Sequence, residues 1–206
     1  MRIKTTTKIL FGVGLLLLGA CQQDETTKEP QEVAITEDKG SYAKNWQEAD
    51  LSQVFTEDQI SYQITPTQLQ EIVADKKVTQ VRFIPGVVNN HVLVTIAGVD
   101  NTGAIVKQIT KKPTTAITLE DGLRKLQDIT FDKAGIDDKV VAYHTIQPRE
   151  AHQFISFWNA IAKSKSKSNI DEVTSYNGER IRHFSMEAAM VAHMAGLSSV
   201  DHINMS

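Results

Sequence analysis

The chain has very little cysteine, since Cys21 is the only one among its 206 residues. A lone cysteine excludes an internal disulfide bond, and in an exported protein it needs an explanation of its own. The sequence also lacks a Gly-x-Ser-x-Gly element, a phosphate-binding glycine loop and a His-Glu-x-x-His pair. Because these signatures of nucleophilic, nucleotide-dependent and metal-dependent chemistry are missing, we predict no catalytic residue and no cofactor.

A basic excess and a long apolar run are missing as well. The formal net charge is −3 at pH 7, and residues 41–206 carry 17 bases and 19 acids, so no nucleic-acid partner is predicted. The apolar stretch from Ile9 to Leu18 is far shorter than the roughly 20 residues that span a bilayer. It therefore does not predict a stable transmembrane helix.

The N-terminal segment has the composition of an export signal. Three bases and no acid precede or flank the apolar stretch from Ile9 to Leu18, and Gly19-Ala20 supplies the small side chains of a cleavage site. Residues 1–20 are therefore predicted to be a signal peptide that is removed. Its loss leaves 186 of the 206 residues and moves the formal charge from −3 to −6, because three bases and no acids are lost.

The tetrad Leu18-Gly19-Ala20-Cys21 resembles the lipobox of bacterial lipoproteins. The resemblance implies diacylglyceryl transfer to the Cys21 sulfur, cleavage after Ala20, and acylation of the new amino terminus by a fatty acid such as palmitate. Several acyl chains on one residue meet the requirement that stable anchoring needs more than one chain. The lipid bilayer is thus the predicted partner of Cys21, and an ordinary secretory signal with an incidental cysteine is the alternative.

The residues after the cysteine predict where the anchored protein goes. Gln22 stands where an Asp would resemble the inner-membrane retention signal of enterobacteria, so the outer membrane is favoured. Gln22, Gln23, Asp24 and Glu25 resemble the acid-containing surface-export signal of Bacteroidetes lipoproteins, with a plain polar tether as the alternative. Residues 22–40 hold six acids and two bases. Such a segment is predicted to be a disordered tether, so residues 21–40 are assigned to the lipidated cysteine and its tether.

Residues 41–206 are predicted to form one α+β domain, with an antiparallel meander of about three to five strands and helices on one face. Capping residues and prolines predict helices that begin at Thr65, Thr118 and Pro148. Alternating and β-branched residues predict strands over 78–84, 92–99 and 105–109, with weaker candidates over 139–143 and 180–184. The two loops of the meander, Pro85 to Asn90 and Asp100 to Gly103, are the default places for a binding site, and ordinary hairpin turns are the alternative.

The helix that begins at Pro148 carries the clearest amphipathic pattern. Its predicted core face recurs at i, i+3, i+4 and i+7 and comprises Ala151, Phe154, Ile155, Trp158, Ile161 and Ala162. Trp158 at the centre of this face is predicted to be a core residue. The alternating lysines and serines of 163–168 are predicted to end the helix as a polar loop.

A last helix is predicted from Met186 to Ala195, capped by Ser185 and ended by Gly196. Its apolar residues on nearly every face predict a buried helix in which methionines fill the core. The alternative is copper or zinc binding by His183, His193 and His202 beside the methionines. The histidines have no local ligand spacing, so no metal site is assigned.

These observations favour a membrane-anchored, cell-envelope lipoprotein that presents a non-enzymatic binding module to an unknown protein or glycan partner. An envelope protein that binds copper or zinc and an uncommon envelope hydrolase are the alternatives.

Overall fold

A computed structural model describes residues 15–16, 39–55, 62–113, 146–197 and 203–205. The predicted lipidation site Cys21, the helix predicted at Thr118 and the strand predicted over 139–143 lie outside these residues. Within the described ranges the chain has an α+β fold with a four-stranded antiparallel sheet, which confirms the predicted fold class.

Nine strands, five α-helices and one 3-10 turn lie within the described residues. Their bounds are β1 (Leu15–Leu16), α1 (Lys39–Glu48), a 3-10 turn (Leu51–Gln53), β2 (Tyr62–Ile64), α2 (Pro66–Val73), β3 (Gln80–Val88), β4 (His91–Val99), β5 (Ile105–Lys111), α3 (Pro148–Ser164), α4 (Lys167–Val173), β6 (Ser175–Tyr176), β7 (Glu179–Arg180), β8 (Phe184–Glu187), α5 (Ala188–Ala195) and β9 (Ile203–Met205).

The predicted meander forms most of the main sheet, whose strand order is β5-β4-β3-β8. Strands β3 and β4 meet at Asn89 and Asn90, whose φ angles of 49° and 60° give the two left-handed residues of a tight hairpin turn. The hydroxyls of Thr95 and Thr110 lie 2.9 Å apart across β4 and β5 and add a side-chain link between these strands. The weak strand predicted over 180–184 is mostly wrong, because β7 ends at Arg180, the fourth strand β8 begins only at Phe184, and residues 181–183 connect the two.

Two small sheets accompany the main one. Strand β9 pairs with β2 on one side and with β1 on the other, where Leu15 lies opposite Met205. Strand β1 lies within residues 1–20, the predicted signal peptide. The hairpin of β6 and β7 turns at Asn177 and Gly178, whose φ angles are 51° and 79°.

Helix α2 begins as predicted, with a complete capping box. The Thr65 hydroxyl accepts a hydrogen bond from the Gln68 N–H at 3.2 Å, and the Gln68 side chain accepts one from the Thr65 N–H at 3.1 Å. Leu69 and Ile72 face the sheet and are fully buried. A Cβ atom on Gly98 of β4 would lie 2.9 Å from the Ile72 carbonyl oxygen, so glycine is needed for this close approach.

The main core lies between the sheet and helices α2 and α5. Met190 and Met194 of α5 are buried in it beside Met186 of β8, which confirms the core role predicted for the methionines. The other buried members are apolar residues of α2, β3, β4, α5 and the short sheet, namely Ile64, Leu69, Ile72, Val81, Phe83, Val94, Ile96, Val191, Ala195 and Ile203.

The start predicted for the last helix is wrong. Ser185 lies in β8, opposite Arg82 of β3, and the helix begins at Ala188 after Glu187. Backbone pairing with β3 satisfies the groups that a serine cap would have satisfied, so the helix begins two residues later than predicted. Gly196 ends the helix as predicted. Burial on all faces is also wrong, because Ala189, Ala192 and His193 are exposed.

Helix α1 was not predicted, and it begins at Lys39, two residues inside the predicted tether. It packs beside the second half of β3. This half has no partner in β8, because β8 pairs only with Gln80 to Phe83 of β3. A Cβ atom on Gly86 would lie 2.8 Å from the Tyr42 Cβ, and the Asn45 amide donates to the Val87 carbonyl oxygen at 3.1 Å. The helix thus covers a strand edge that would otherwise present open backbone groups.

A second core forms around α1 and α4. Its buried members are Trp46, Leu51, Val54, Val87, Val92 and Ile170. Helix α4 was also not predicted, because its first residues belong to the lysine–serine stretch. Only Lys165 and Ser166 interrupt the helices there, since Lys165 adopts a left-handed φ of 50° and the Ser166 hydroxyl caps α4. The prediction of a loop over 163–168 is therefore wrong beyond these two residues.

The buried position of Met190 gives a direct test of the main core. Its side chain is 1% exposed, so Met190→Ala should lower the free energy of unfolding by about 2–5 kcal/mol, measured by urea denaturation. Ala192→Gln, on the exposed side of the same helix, is the control and should stay within about 0.5 kcal/mol. Equal stability of the two variants would contradict the placement of α5.

Candidate functional site

The two predicted meander loops are hairpin turns, but the first is shorter than predicted, because Pro85 to Val88 continue β3 and only Asn89 and Asn90 form the turn. In the second, Asp100 accepts from the Thr102 hydroxyl at 2.6 Å and from the N–H groups of Thr102 and Ala104 at 2.9 and 3.0 Å. The hydroxyl bond, helped by the backbone ones, holds the pKa of Asp100 below its ordinary value. The Asp100 carboxylate therefore stabilises its own turn by accepting these hydrogen bonds.

A positive side chain lies beside this turn. The Arg82 guanidinium donates through Nη1 to the Gly103 carbonyl oxygen at 3.4 Å, and a Cβ atom on Gly103 would lie 2.9 Å from its Nη2. The Nε atom of Arg82 is buried without a hydrogen-bond partner among the described residues. Burial, and then the positive charge of Arg82, lower the pKa of His183 from its ordinary value.

The three histidines of the metal alternative receive no support from this arrangement. His183 stands near a guanidinium, whose charge opposes a metal cation, and His193 lies on the exposed side of α5. His202 lies outside the described residues. In the part of the chain that the structure describes, no group of three or more His, Cys, Asp or Glu side chains could hold a metal ion.

The predicted anchoring residues are not brought into any described site. Leu18, Gly19, Ala20 and Cys21 lie outside the described residues, as does the export segment from Gln22 to Glu25. No helix within the described ranges is both long and apolar enough to span a membrane. The lipobox and the export signal therefore stay predictions.

The core face predicted for α3 is rotated in the structure. Ala151 and Ile155 are buried as predicted, but Phe154 is 67% exposed. Trp158 is half-buried and not a central core residue, so that prediction is corrected. Phe157, which was not assigned, is 63% exposed. The apolar arc of α3 is wider than the face that packs. The sequence indicates this width by placing both Phe154 and Phe157 on one flank of the helix.

A line of aromatic rings holds α3 in this orientation. The Trp158 ring meets Phe55 edge to face, with centroids 4.9 Å apart and an angle of 87°. Phe55 in turn meets Trp46 of the second core, with centroids 6.3 Å apart and an angle of 85°. Because Trp158 leans toward Phe55 and Ile155 is buried, the flank that carries Phe154 and Phe157 faces outward.

The lysines of the predicted polar loop lie at the C-terminal end of α3 and at the start of α4. Lys163, Lys165 and Lys167 are all exposed. Lys167 reaches Asp50, with the Nζ and Oδ2 atoms 3.7 Å apart. Glu150 is the one acid in α3, and its carboxylate accepts from the Gln147 N–H at 2.9 Å. At roughly 100° per residue, Lys163 lies about 180° around α3 from Phe154, so the exposed phenylalanines and the lysines do not share one face of the helix.

No protein-family model matches the chain, and searches of curated proteins and of solved structures find no match either. Function is therefore inferred from the residues themselves.

The environment of His183 predicts a pH dependence. A folded-state pKa below the ordinary value of about 6.5 means that the fold resists protonation of His183. The free energy of unfolding should therefore fall progressively as the pH drops below the ordinary pKa of His183. Well above that pKa, the shift should have no effect on stability. An NMR titration should give His183 a pKa below the ordinary value. The Arg82→Gln variant should raise this pKa back toward the ordinary value.

The matching stability experiment uses His183→Asn. This variant should lose less stability than wild type as the pH is lowered from neutral toward 5. An unchanged pH profile, together with an ordinary pKa for His183, would contradict its placement beside Arg82.

Proposed function

We propose that this protein is a cell-envelope lipoprotein, anchored in a membrane through acylated Cys21, that presents a non-enzymatic binding or interaction module. The observation that carries the proposal is the tetrad Leu18-Gly19-Ala20-Cys21 behind a short positive segment and an apolar stretch of ten residues. The same tetrad accounts for the single cysteine of the chain, which would otherwise be an unexplained thiol in an exported protein.

Several polar side chains of the described residues form hydrogen bonds within the fold, and this supports a binding module over a hydrolase. Asp100 braces its turn, and Thr65 and Gln68 cap α2. Arg180 donates to the carbonyl oxygens of Trp46 and Ala49 at the end of α1. These hydrogen bonds hold loops and helix ends in place, whereas catalysis would need a nucleophile and a base directed at a common point.

The location proposed for the anchor follows from the residues after Cys21. Gln22 in place of an Asp favours the outer membrane, and Asp24 with Glu25 favours export to the cell surface. The partner of the body is proposed to be a protein or glycan that is met at that surface.

Metabolic labelling tests the anchor. Cells that express the protein are fed an alkyne-bearing fatty acid, and the purified protein is coupled to an azide dye. We expect label on wild type and none on Cys21→Ser, which should also keep its signal peptide, because the sulfur that receives the diacylglyceryl group is missing.

The matched control changes two nearby residues and spares the tetrad. A double variant, Asp24→Ala with Glu25→Ala, should incorporate as much label as wild type. Label retained on Cys21→Ser would contradict the proposal, because acylation would then occur elsewhere in the chain.

A further inference from the structure

We propose that strand β9 of the mature protein binds an extended, apolar segment of a partner protein, which pairs with it as an added antiparallel strand. The site is the side of β9 that pairs with β1 in the full chain, called here the β9 outer edge. The inference rests on the proposed function, because β1 leaves this edge only when the signal peptide is removed. It adds a binding site on the body and the kind of partner that the site takes.

The full chain shows what the β9 outer edge accepts. Strand β9 is the middle strand of its small sheet, with β2 on one side and β1 on the other. Strand β1 runs antiparallel to β9, with Leu15 opposite Met205 and Leu16 opposite Asn204. Both leucines belong to the stretch from Ile9 to Leu18, which contains no charged residue. The occupant of the edge is therefore an extended, uncharged and apolar segment.

The proposed maturation would open this edge. Cleavage after Ala20 would separate β1 from the body, because residues 15–16 precede the cut. Strand β9 would keep its antiparallel pairing with Tyr62–Ile64 of β2. Its outer edge would then present backbone N–H and C=O groups to water, and an open edge of this kind is a template for a strand of another chain.

The main core holds β9 in an extended conformation that suits an added strand. Ile203 of β9 and Ile64, its partner on β2, are both 0% exposed and belong to that core. Met205, at the other end of β9, packs against the same core from a half-buried position. Because these residues pack against α2, α5 and the main sheet, β9 should stay extended without β1, and a preformed edge lowers the entropic cost of binding.

The charge of the two sheet edges also favours an apolar partner. Strand β5, the end strand of the main sheet, carries Lys107 and Lys111, and lysines on an edge strand oppose pairing with another chain. Strand β9 carries no charged residue, since it consists of Ile203, Asn204 and Met205. The β9 outer edge thus lacks this protection, and an uncharged strand can lie beside it without leaving a charge unpaired.

A peptide that replaces β1 tests the site. The probe is a dye-labelled peptide with the sequence of residues 13–18, flanked by lysines for solubility, and its fluorescence anisotropy is measured with mature protein purified from membranes in detergent. We expect a saturable rise. A control peptide carries N-methyl-leucine at the positions of Leu15 and Leu16. It keeps the apolar side chains but loses backbone donors, so it should bind about tenfold more weakly.

The matched protein control is Cys21→Ser, which should keep its signal peptide and therefore β1. It should bind the probe about tenfold more weakly than the mature protein, because an intramolecular strand competes at high effective concentration. Hydrogen exchange then locates the site. In the C-terminal peptic fragment that contains residues 203–205, exchange should be slow in Cys21→Ser, faster in the mature protein, and slow again when the probe is added.

Two results would overturn the strand-addition proposal. Equal binding of the probe and its N-methylated form would show apolar adhesion without strand pairing. Slow exchange of β9 in the mature protein without the probe would show that the edge is already covered, by a second copy if the protection depends on protein concentration and by the same chain if it does not.

The intact mass of the same preparation separates this proposal from the lipoprotein proposal. A purified chain that begins at Cys21 with its lipid but fails to bind the probe would contradict strand addition alone. A chain that retains residues 15–16 would contradict both, because the signal peptide would not have been removed and β1 would keep the edge.

Discussion

The arrangement of the second core depends on the half-buried guanidinium of Arg180. It donates to the carbonyl oxygens of Trp46 at 2.8 Å and Ala49 at 2.7 Å, pairs with Asp171 of α4, and lies 5.9 Å from the centre of the Trp46 ring. The Trp46 indole returns a hydrogen bond to the Ile181 carbonyl oxygen at 2.8 Å. One side chain thus ties the end of α1 to α4 and to the β6–β7 hairpin, with charge-assisted bonds to carbonyls that a helix end leaves unsatisfied.

The hydrogen bonds of Arg180 affect both the edge of β3 and the exposed flank of α3. With its end held, α1 stays beside the second half of β3 and covers the edge that β8 leaves open. Trp46 also begins the line of rings that runs through Phe55 to Trp158, and this line sets which flank of α3 meets solvent. The outward position of Phe154 and Phe157 therefore depends on a polar interaction in a different part of the fold. The proposed anchor needs none of it, because acylation is directed by the short segment around Cys21.

Local chemistry explains what the sequence predicts well. The capping box at Thr65 and the turn at Asn89 and Asn90 are determined by neighbouring residues, so α2 and the meander appear where predicted. Tertiary contacts decide the rest. Helix α1 is mostly polar and is held by the edge of β3 and by Arg180, neither of which a local pattern contains. Ser185 has the chemistry of a helix cap, yet strand pairing overrides it, and the wide apolar arc of α3 does not indicate which part will pack.

The central claim is that the mature chain begins at a lipid-bearing cysteine. Intact-mass and N-terminal peptide mass spectrometry of protein purified from membranes test it most directly. The account predicts a chain of residues 21–206 whose first residue, Cys21, carries a diacylglyceryl group and an acylated or acylatable amino terminus. A mature chain that begins elsewhere, or one that begins at Cys21 with an unmodified thiol, would contradict it.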